Sequence, residues 1–127
     1  MLLMYLLDTN TVIDFCNGKL PPNAKNLLSA CEPSISVITH IELFASSKID
    51  EKERLQLEQF VQISIVYDHI NATIIKHAIT IRQLYKTPLP DAIIAATALT
   101  YNLKLVSRNK ADFKNIEGLQ LIDPYEM

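Results

Sequence analysis

The chain has 127 residues, of which 49% are hydrophobic and 20% charged, and its formal net charge at pH 7 is −2. This length and composition predict a single globular domain over residues 1–127 and exclude a disordered, collagen-like or disulfide-built chain. With 12 Lys and Arg against 14 Asp and Glu, the chain lacks the overall basic charge of a general nucleic-acid binder. Any polyanionic partner must therefore be bound locally.

The apolar stretches are too short for a membrane helix, and the apolar start lacks the basic residues and cleavage site of a signal peptide. Cys16 and Cys31 fall in no CxxC or metal-binding spacing and are predicted to be reduced thiols. We therefore expect a cytoplasmic protein with no membrane partner.

Apolar runs alternate with stretches of helical periodicity along the chain. The predicted strands are Leu2–Leu7, Ser34–Ile38, Ser64–Tyr67, Lys104–Ser107 and Leu119–Ile122. The predicted helices are Thr11–Phe15, Asn23–Ala30, Thr39–Ser46, Asp50–Ile63, Asn71–Tyr85, Asp91–Tyr101 and Lys110–Asn115. This alternation predicts an α/β fold, a three-layer α/β/α sandwich with a central, mainly parallel sheet.

The sequences of two predicted helices lead to further predictions. The highly charged helix Asp50–Ile63 is expected to turn Leu55, Phe60 and Val61 inward and to form a helical hairpin with the helix before it. The helix Asp91–Tyr101 is almost wholly apolar after its first residue, so we place it deep in the core.

Four acidic residues stand where strands end or where the following helices begin. Asp8 follows the first strand, Glu42 lies one turn into the helix after the second, Asp91 opens the core helix, and Asp112 follows the strand Lys104–Ser107. Ligands of parallel α/β sheets bind beyond the carboxyl ends of the strands, so these acids are expected to face a shared cleft.

Each acid also has a simple structural explanation. Asp8 fits a helix N-cap, Thr39 and Glu42 fit a capping box, and Asp91 in a first turn suits the helix dipole. Asn109 and Asp112 show the same capping spacing. Taken singly, every acid is explained by capping, and the case for a site depends on their convergence.

Convergence of several acids creates an electrostatic conflict that a cation removes. Two carboxylates about 4 Å apart repel by roughly 1 kcal/mol in water and about 4 kcal/mol at an effective dielectric of 20. Oxygen ligands without a His or Cys cluster favour Mg²⁺, with Mn²⁺ as the alternative, over zinc. Such a site suits a nuclease, in which the ion activates a water and neutralises charge on the phosphate.

Four segments in this order and spacing resemble PIN domains, in particular the VapC-type toxins of bacterial toxin–antitoxin pairs. The segments are YLLDTN, SVITHIEL, PLPDAIIAATA and LVSRNKADF. The resemblance covers nearly the whole chain. It implies a Mg²⁺-dependent endoribonuclease that cuts structured RNA such as tRNA or ribosomal RNA. It also implies a homodimer that is neutralised by a cognate antitoxin. Contact with DNA would occur only through that antitoxin.

The resemblance also assigns roles to residues of this chain. Asp8, Glu42 and Asp91 match the three central acids of the family, and the fourth position falls within RNKADF. Here either Asn109 or Asp112 completes the site, and we take Asp112 as the carboxylate and Asn109 as a polar helper. The implied catalytic set is Asp8, Glu42, Asp91 and Asp112, with Asp8, Asp91 and Asp112 as metal ligands.

Several neighbouring residues are expected to support this set. Thr9, Asn10 and Thr39 match small polar positions that orient the carboxylates or a metal-bound water in the family. Arg108 and Lys110 flank the acidic loop and are predicted to contact RNA phosphates, independently of sequence. The hairpin over residues 39–63 is expected to form part of the antitoxin groove.

Two other functions remain open from the sequence. A PIN-like module that binds RNA or a protein without cutting is the main alternative, because the fourth acid is ambiguous. A phosphotransfer domain fits less well, because Asp8-Thr9-Asn10 lacks the second aspartate of a DxD motif.

Overall fold

The computed structural model describes residues 4–127, and the first two residues of the predicted strand Leu2–Leu7 lie outside this range. The strands are β1 (Tyr5–Leu7), β2 (Pro33–Ser36), β3 (Ile65–Tyr67), β4 (Lys104–Val106) and β5 (Leu121–Ile122). The helices are α1 (Thr9–Cys16), α2 (Pro22–Ser29), α3 (Val37–Phe44), α4 (Glu51–Ile63), α5 (Ala72–Leu84), α6 (Leu89–Tyr101) and α7 (Lys110–Phe113).

The five strands form one parallel sheet in the order β3-β2-β1-β4-β5. In the central strand β1, Tyr5 lies opposite Pro33 of β2 on one side and Lys104 of β4 on the other. All strands therefore end at the same edge, which confirms the predicted α/β architecture with its parallel sheet.

Two separate apolar clusters cover the two faces of this sheet. Leu6 and Leu105 point into a cluster with α5 and α6, whereas Leu7, Ile35 and Val106 point into a cluster with α1, α2, α3 and α4. Alternation of side chains along a strand produces this division. The two clusters make the sheet the middle of three layers, and most of α6 is buried as expected.

The boundary between β2 and α3 differs from the predicted one. The predicted strand reached Ile38, but β2 ends at Ser36 and α3 begins at Val37. The hydroxyl of Ser36 accepts a hydrogen bond from the backbone N–H of Thr39 at 3.2 Å, and Ser36 is therefore the N-cap. The predicted Thr39–Glu42 capping box is wrong, and both residues lie one turn deeper in the helix.

The inward face of α4 also differs from the predicted one. Leu57 and Phe60 are buried, Val61 is half-buried, and Leu55 is 48% exposed. At 3.6 residues per turn, Leu57, Phe60 and Val61 share one face of the helix, and Leu55 lies on the other. Among the helices of residues 4–127, none is long and apolar enough to cross a membrane.

Candidate active site

Asp8 lies at the carboxyl end of the central strand and is fixed from two sides. Its Oδ1 accepts a hydrogen bond from the backbone N–H of Thr11 at 2.9 Å, so Asp8 is the N-cap of α1. Its Oδ2 accepts a hydrogen bond from the hydroxyl of Ser107, the residue that follows β4. With 7% of its surface exposed, Asp8 is a buried carboxylate oriented by two neighbouring segments.

Glu42 reaches the same edge from α3. The hydroxyl of Thr9 donates to Glu42 Oε1 at 2.6 Å and lies 3.2 Å from the hydroxyl oxygen of Thr39. Thr39 is fully buried, whereas Glu42 is exposed. The two threonines therefore orient an otherwise free carboxylate next to Asp8.

Asp112 and Asn109 form a hydrogen-bonded pair at the start of α7. The amide nitrogen of Asn109 donates to Asp112 Oδ2 at 2.9 Å, and its amide oxygen accepts from the backbone N–H of Asp112 at 3.4 Å. The backbone N–H of Asn109 donates to the Ser107 hydroxyl oxygen at 3.0 Å. One chain of hydrogen bonds thus connects Asp112 to Asp8 through Asn109 and Ser107.

Asp91 completes the group from the first turn of α6, which begins at Leu89 and not at Asp91 as expected. The pKa of Asp91 is raised to about 6, chiefly because burial removes water from its carboxylate and further because Asp112, Glu42 and Asp8 repel its charge. The hydroxyl of Thr87 donates to the Asp112 carbonyl at 3.1 Å and so ties the turn before α6 to α7. The structure therefore brings the four predicted acids together.

The donor set of this site fits a hard divalent cation. Every candidate ligand is a carboxylate or amide oxygen, and three neighbouring carboxylates add to the effect of burial in raising the pKa of Asp91. Within residues 4–127, no three acidic, His or Cys side chains are already close enough together to form a ready-made metal cage. Mg²⁺ does not need one, because it keeps several waters and takes only one or two protein carboxylates directly.

The remaining predicted residues lie around this group. Asn10 is exposed in the first turn of α1, and the hydrogen bonds of residues 4–127 do not include it in the acid network. Arg108 lies 3.5 Å from Asp14, and Lys110 is paired with Glu126 and lies 3.8 Å from Asp123. Both predicted RNA-contacting cations therefore already have acidic partners.

Sequence reasoning missed the part played by Ser107. Its side chain is fully buried and connects Asp8 with Asn109. A serine that ends the predicted strand Lys104–Ser107, at the sheet edge where the acids were expected, was the available signal. Asp14 was also missed, and its position inside the short helix after Asp8 offered no comparable signal.

A groove beside the acids lies between α1, α3 and α4. Its apolar lining comes from Ile13, Leu43, Ile49 and Leu57. Glu42 also lines it, and so the groove opens directly onto the acid site. The predicted hairpin over residues 39–63 does form one wall of a groove at this edge.

Residues 5–119 match the family model described as "PIN domain". The chain belongs to the PIN domain family. It is 27% identical to "Ribonuclease VapC" of Rickettsia bellii, over 92% of this chain and 93% of that protein. The expected resemblance to PIN domains and VapC-type proteins is thereby confirmed.

Solved structures of similar proteins share the fold. A "Toxin-antitoxin complex from Klebsiella pneumoniae" is 34% identical, with a TM-score of 0.78 over 97% of this chain and 99% of that one. A DNA-bound VapBC from Salmonella typhimurium is 28% identical, with a TM-score of 0.79 over 96% of this chain and 98% of that one.

Proposed function

We propose that this PIN domain chain is a Mg²⁺-dependent endoribonuclease toxin of a toxin–antitoxin system, folded as one domain over residues 1–127. The observation that carries the proposal is the convergence of Asp8, Glu42, Asp91 and Asp112, where burial chiefly, and repulsion from the other three carboxylates in addition, raise the pKa of Asp91 to about 6. The relatives named as ribonucleases support RNA as the substrate. Structured RNA of the tRNA or ribosomal RNA class is the proposed target.

Asp8, Asp91 and Asp112 are the proposed metal ligands, and Glu42 completes the catalytic set. When bound, Mg²⁺, or Mn²⁺ in its place, supplies a water of lowered pKa and neutralises charge on the reacting phosphodiester. Ser107 and the start of α1 hold Asp8 in one orientation, and Asn109 does the same for Asp112. Thr9 keeps Glu42 turned towards α1, where its carboxylate can accept a proton from a water or a hydroxyl.

Arg108 and Lys110 are the proposed phosphate contacts. They precede and follow Asn109, which is hydrogen-bonded to Asp112, and so flank the loop that leads to the acids. Contacts from such side chains position the RNA backbone without reading its sequence.

The groove between α1, α3 and α4 is the proposed antitoxin site. Its apolar lining suits the apolar side of a helix or extended segment, and Glu42 and Glu53 at its border suit a basic side chain. The similar structures that are described as toxin–antitoxin complexes support such a partner. In this proposal the chain is cytoplasmic and reaches DNA only through the antitoxin, and its two unpaired cysteines agree with a reducing compartment.

A homodimer is proposed through the apolar surface between α5 and α6. Ile70, Ile75, Ile79 and Leu89 are each between 43% and 55% exposed, and together with Ile93 they line one groove. Contiguous apolar patches of this kind mark interaction sites on soluble proteins. Ile75 and Ile79 lie one turn apart on α5, so the same stripe from a second copy can pack against it around a two-fold axis.

The dimer proposal is tested by Ile79→Glu, with Thr73→Glu on another face of α5 as the matched control. Light scattering after size exclusion should give a dimer for the native chain and the control, and a monomer for Ile79→Glu. A native monomer, or an Ile79→Glu variant that stays dimeric, would refute this interface.

The catalytic proposal is tested with protein purified free of antitoxin. The native chain, Asp8→Asn and the control Glu117→Gln are each incubated with total cellular RNA, in Mg²⁺ or in EDTA. Asn is as good an N-cap as Asp, so Asp8→Asn should keep the fold, which thermal unfolding checks. Glu117 is an exposed acid on the connection that enters β5 and does not belong to the acid site.

Discrete RNA fragments are expected only from the native chain and Glu117→Gln, and only in Mg²⁺. Intact RNA in every sample would refute the proposed nuclease activity. RNA that binds and stays intact would favour the non-cleaving PIN-like module instead. Fragments that persist with Asp8→Asn or in EDTA would refute the proposed metal site.

A further inference from the structure

A turn at residues 123–126 follows β5 at the same edge of the sheet as the acids. The backbone N–H of Tyr125 donates to Asp123 Oδ1 at 2.8 Å, and that of Glu126 donates to the Asp123 carbonyl at 3.1 Å. Pro124 in the middle of the turn is buried. These contacts place the side chains of Tyr125 and Glu126 beside the loop that carries Arg108 and Lys110.

Arg108 is held by a partly buried acid and an aromatic ring. The hydroxyl of Tyr125 donates to Asp14 Oδ2 at 2.6 Å, and Arg108 Nη1 lies 3.5 Å from the same oxygen. The guanidinium carbon of Arg108 is 5.8 Å from the centre of the Tyr125 ring. Only 12% of the Asp14 side chain is exposed, so water screens this arrangement weakly.

Lys110 is held very differently. Its ammonium group pairs with Glu126 Oε1 and lies 3.8 Å from Asp123 Oδ2. The Glu126 side chain is 60% exposed. Exposed ion pairs are weak because water solvates both charges and two flexible side chains must be ordered. Another anion can therefore replace Glu126 with little loss of interaction free energy at Lys110.

We propose that Glu126 competes with RNA phosphate for Lys110. In the free protein the carboxylate neutralises Lys110, and on binding a backbone phosphate takes its place. Lys110 and Asp112 lie on opposite faces of α7, so the ammonium group would contact a phosphate beside the reacting one and not the reacting phosphate itself. The turn at residues 123–126 then sets RNA affinity without touching the catalytic acids. This inference rests on the proposed ribonuclease function.

The test measures RNA binding and not cleavage. A fluorescein-labelled RNA hairpin is titrated, with fluorescence anisotropy as the readout, into Asp8→Asn protein that carries Glu126→Gln, Lys110→Gln or both. Removing the competing carboxylate should tighten binding roughly two- to five-fold at low salt, and the gain should shrink as salt screens the pair. Lys110→Gln should weaken binding and abolish the effect of Glu126→Gln.

Glu117→Gln in the same Asp8→Asn background is the matched control, because it removes one exposed negative charge away from the two cations. It should change affinity less than Glu126→Gln does. An equal gain from Glu117→Gln, or a gain from Glu126→Gln that persists in the Lys110→Gln background, would overturn the inference. Unchanged affinity with Glu126→Gln, where RNA does bind, overturns the inference alone. RNA binding by none of the variants overturns both it and the proposed function.

Discussion

Asp8 and Asp91 belong to one group of acids, but the protein holds them in different ways. Asp8 is buried and accepts hydrogen bonds from the backbone of Thr11 and the hydroxyl of Ser107, which fix the orientation of its carboxylate. Asp91 is half-buried, and its pKa rises to about 6 because burial and three neighbouring carboxylates disfavour its charge. One half of the site is thus organised by the chain itself, and the other half is suited to a cation from outside.

The largest effect should follow from Asp91→Asn, which removes the carboxylate whose charge is most disfavoured without a cation. We expect RNA cleavage in Mg²⁺ to fall by more than about 100-fold, since charge stabilisation at the reacting group is usually among the largest catalytic terms. Cleavage rates on a labelled RNA measure it. Lys76→Glu, far from the acids on α5, should cleave at the native rate. Native activity in Asp91→Asn would remove Asp91 from the catalytic set.

Ser107→Ala tests the organised half of the site. Ser107 both donates to Asp8 and accepts from the backbone N–H of Asn109, so the substitution leaves a buried carboxylate oxygen and a part-buried N–H without their partner. Loss of such partners destabilises proteins by about 1 to 3 kcal/mol. Urea unfolding of the metal-free chain measures the change. Ser46→Ala, at an exposed serine after α3, is the control. A Ser107→Ala chain as stable as the native one would show that Asp8 does not depend on this hydroxyl.

The sequence predicted the acids better than it predicted what holds them. Strand ends are readable from apolar runs, so Asp8 and the Asn109–Asp112 pair were placed at the correct edge. Val37 and Ile38, in contrast, were assigned to a strand because both are β-branched. The capping hydrogen bond from the backbone N–H of Thr39 to the Ser36 hydroxyl outweighs that local preference and starts the helix at Val37.

Contacts between distant segments were the least predictable part of the site. The bond from Ser107 to Asp8 spans 99 residues, and the bond from Tyr125 to Asp14 spans 111. Such pairs depend on the order β3-β2-β1-β4-β5, which places β4 beside β1, and no local pattern in the chain reports that order. The prediction that Leu55 faces inward was wrong for a different reason, since helical spacing from Phe60 and Val61 would have selected Leu57.

The smallest of these effects is the pH dependence of stability that Asp91 confers on the metal-free chain. Its pKa in the folded state, about 6, lies above its ordinary value of 3.8, so the folded protein binds the proton more tightly. The stability that Asp91 contributes is therefore complete below about pH 4 and is lost as pH rises through about 6. Allowing for solvent screening of a half-buried group, we expect a loss of about 1 to 2 kcal/mol. Urea unfolding in EDTA at several pH values measures it, and Asp91→Asn should abolish this part of the slope. Identical slopes in the two chains would show that folding does not raise the pKa of Asp91, and the contrast between the two halves of the site would disappear.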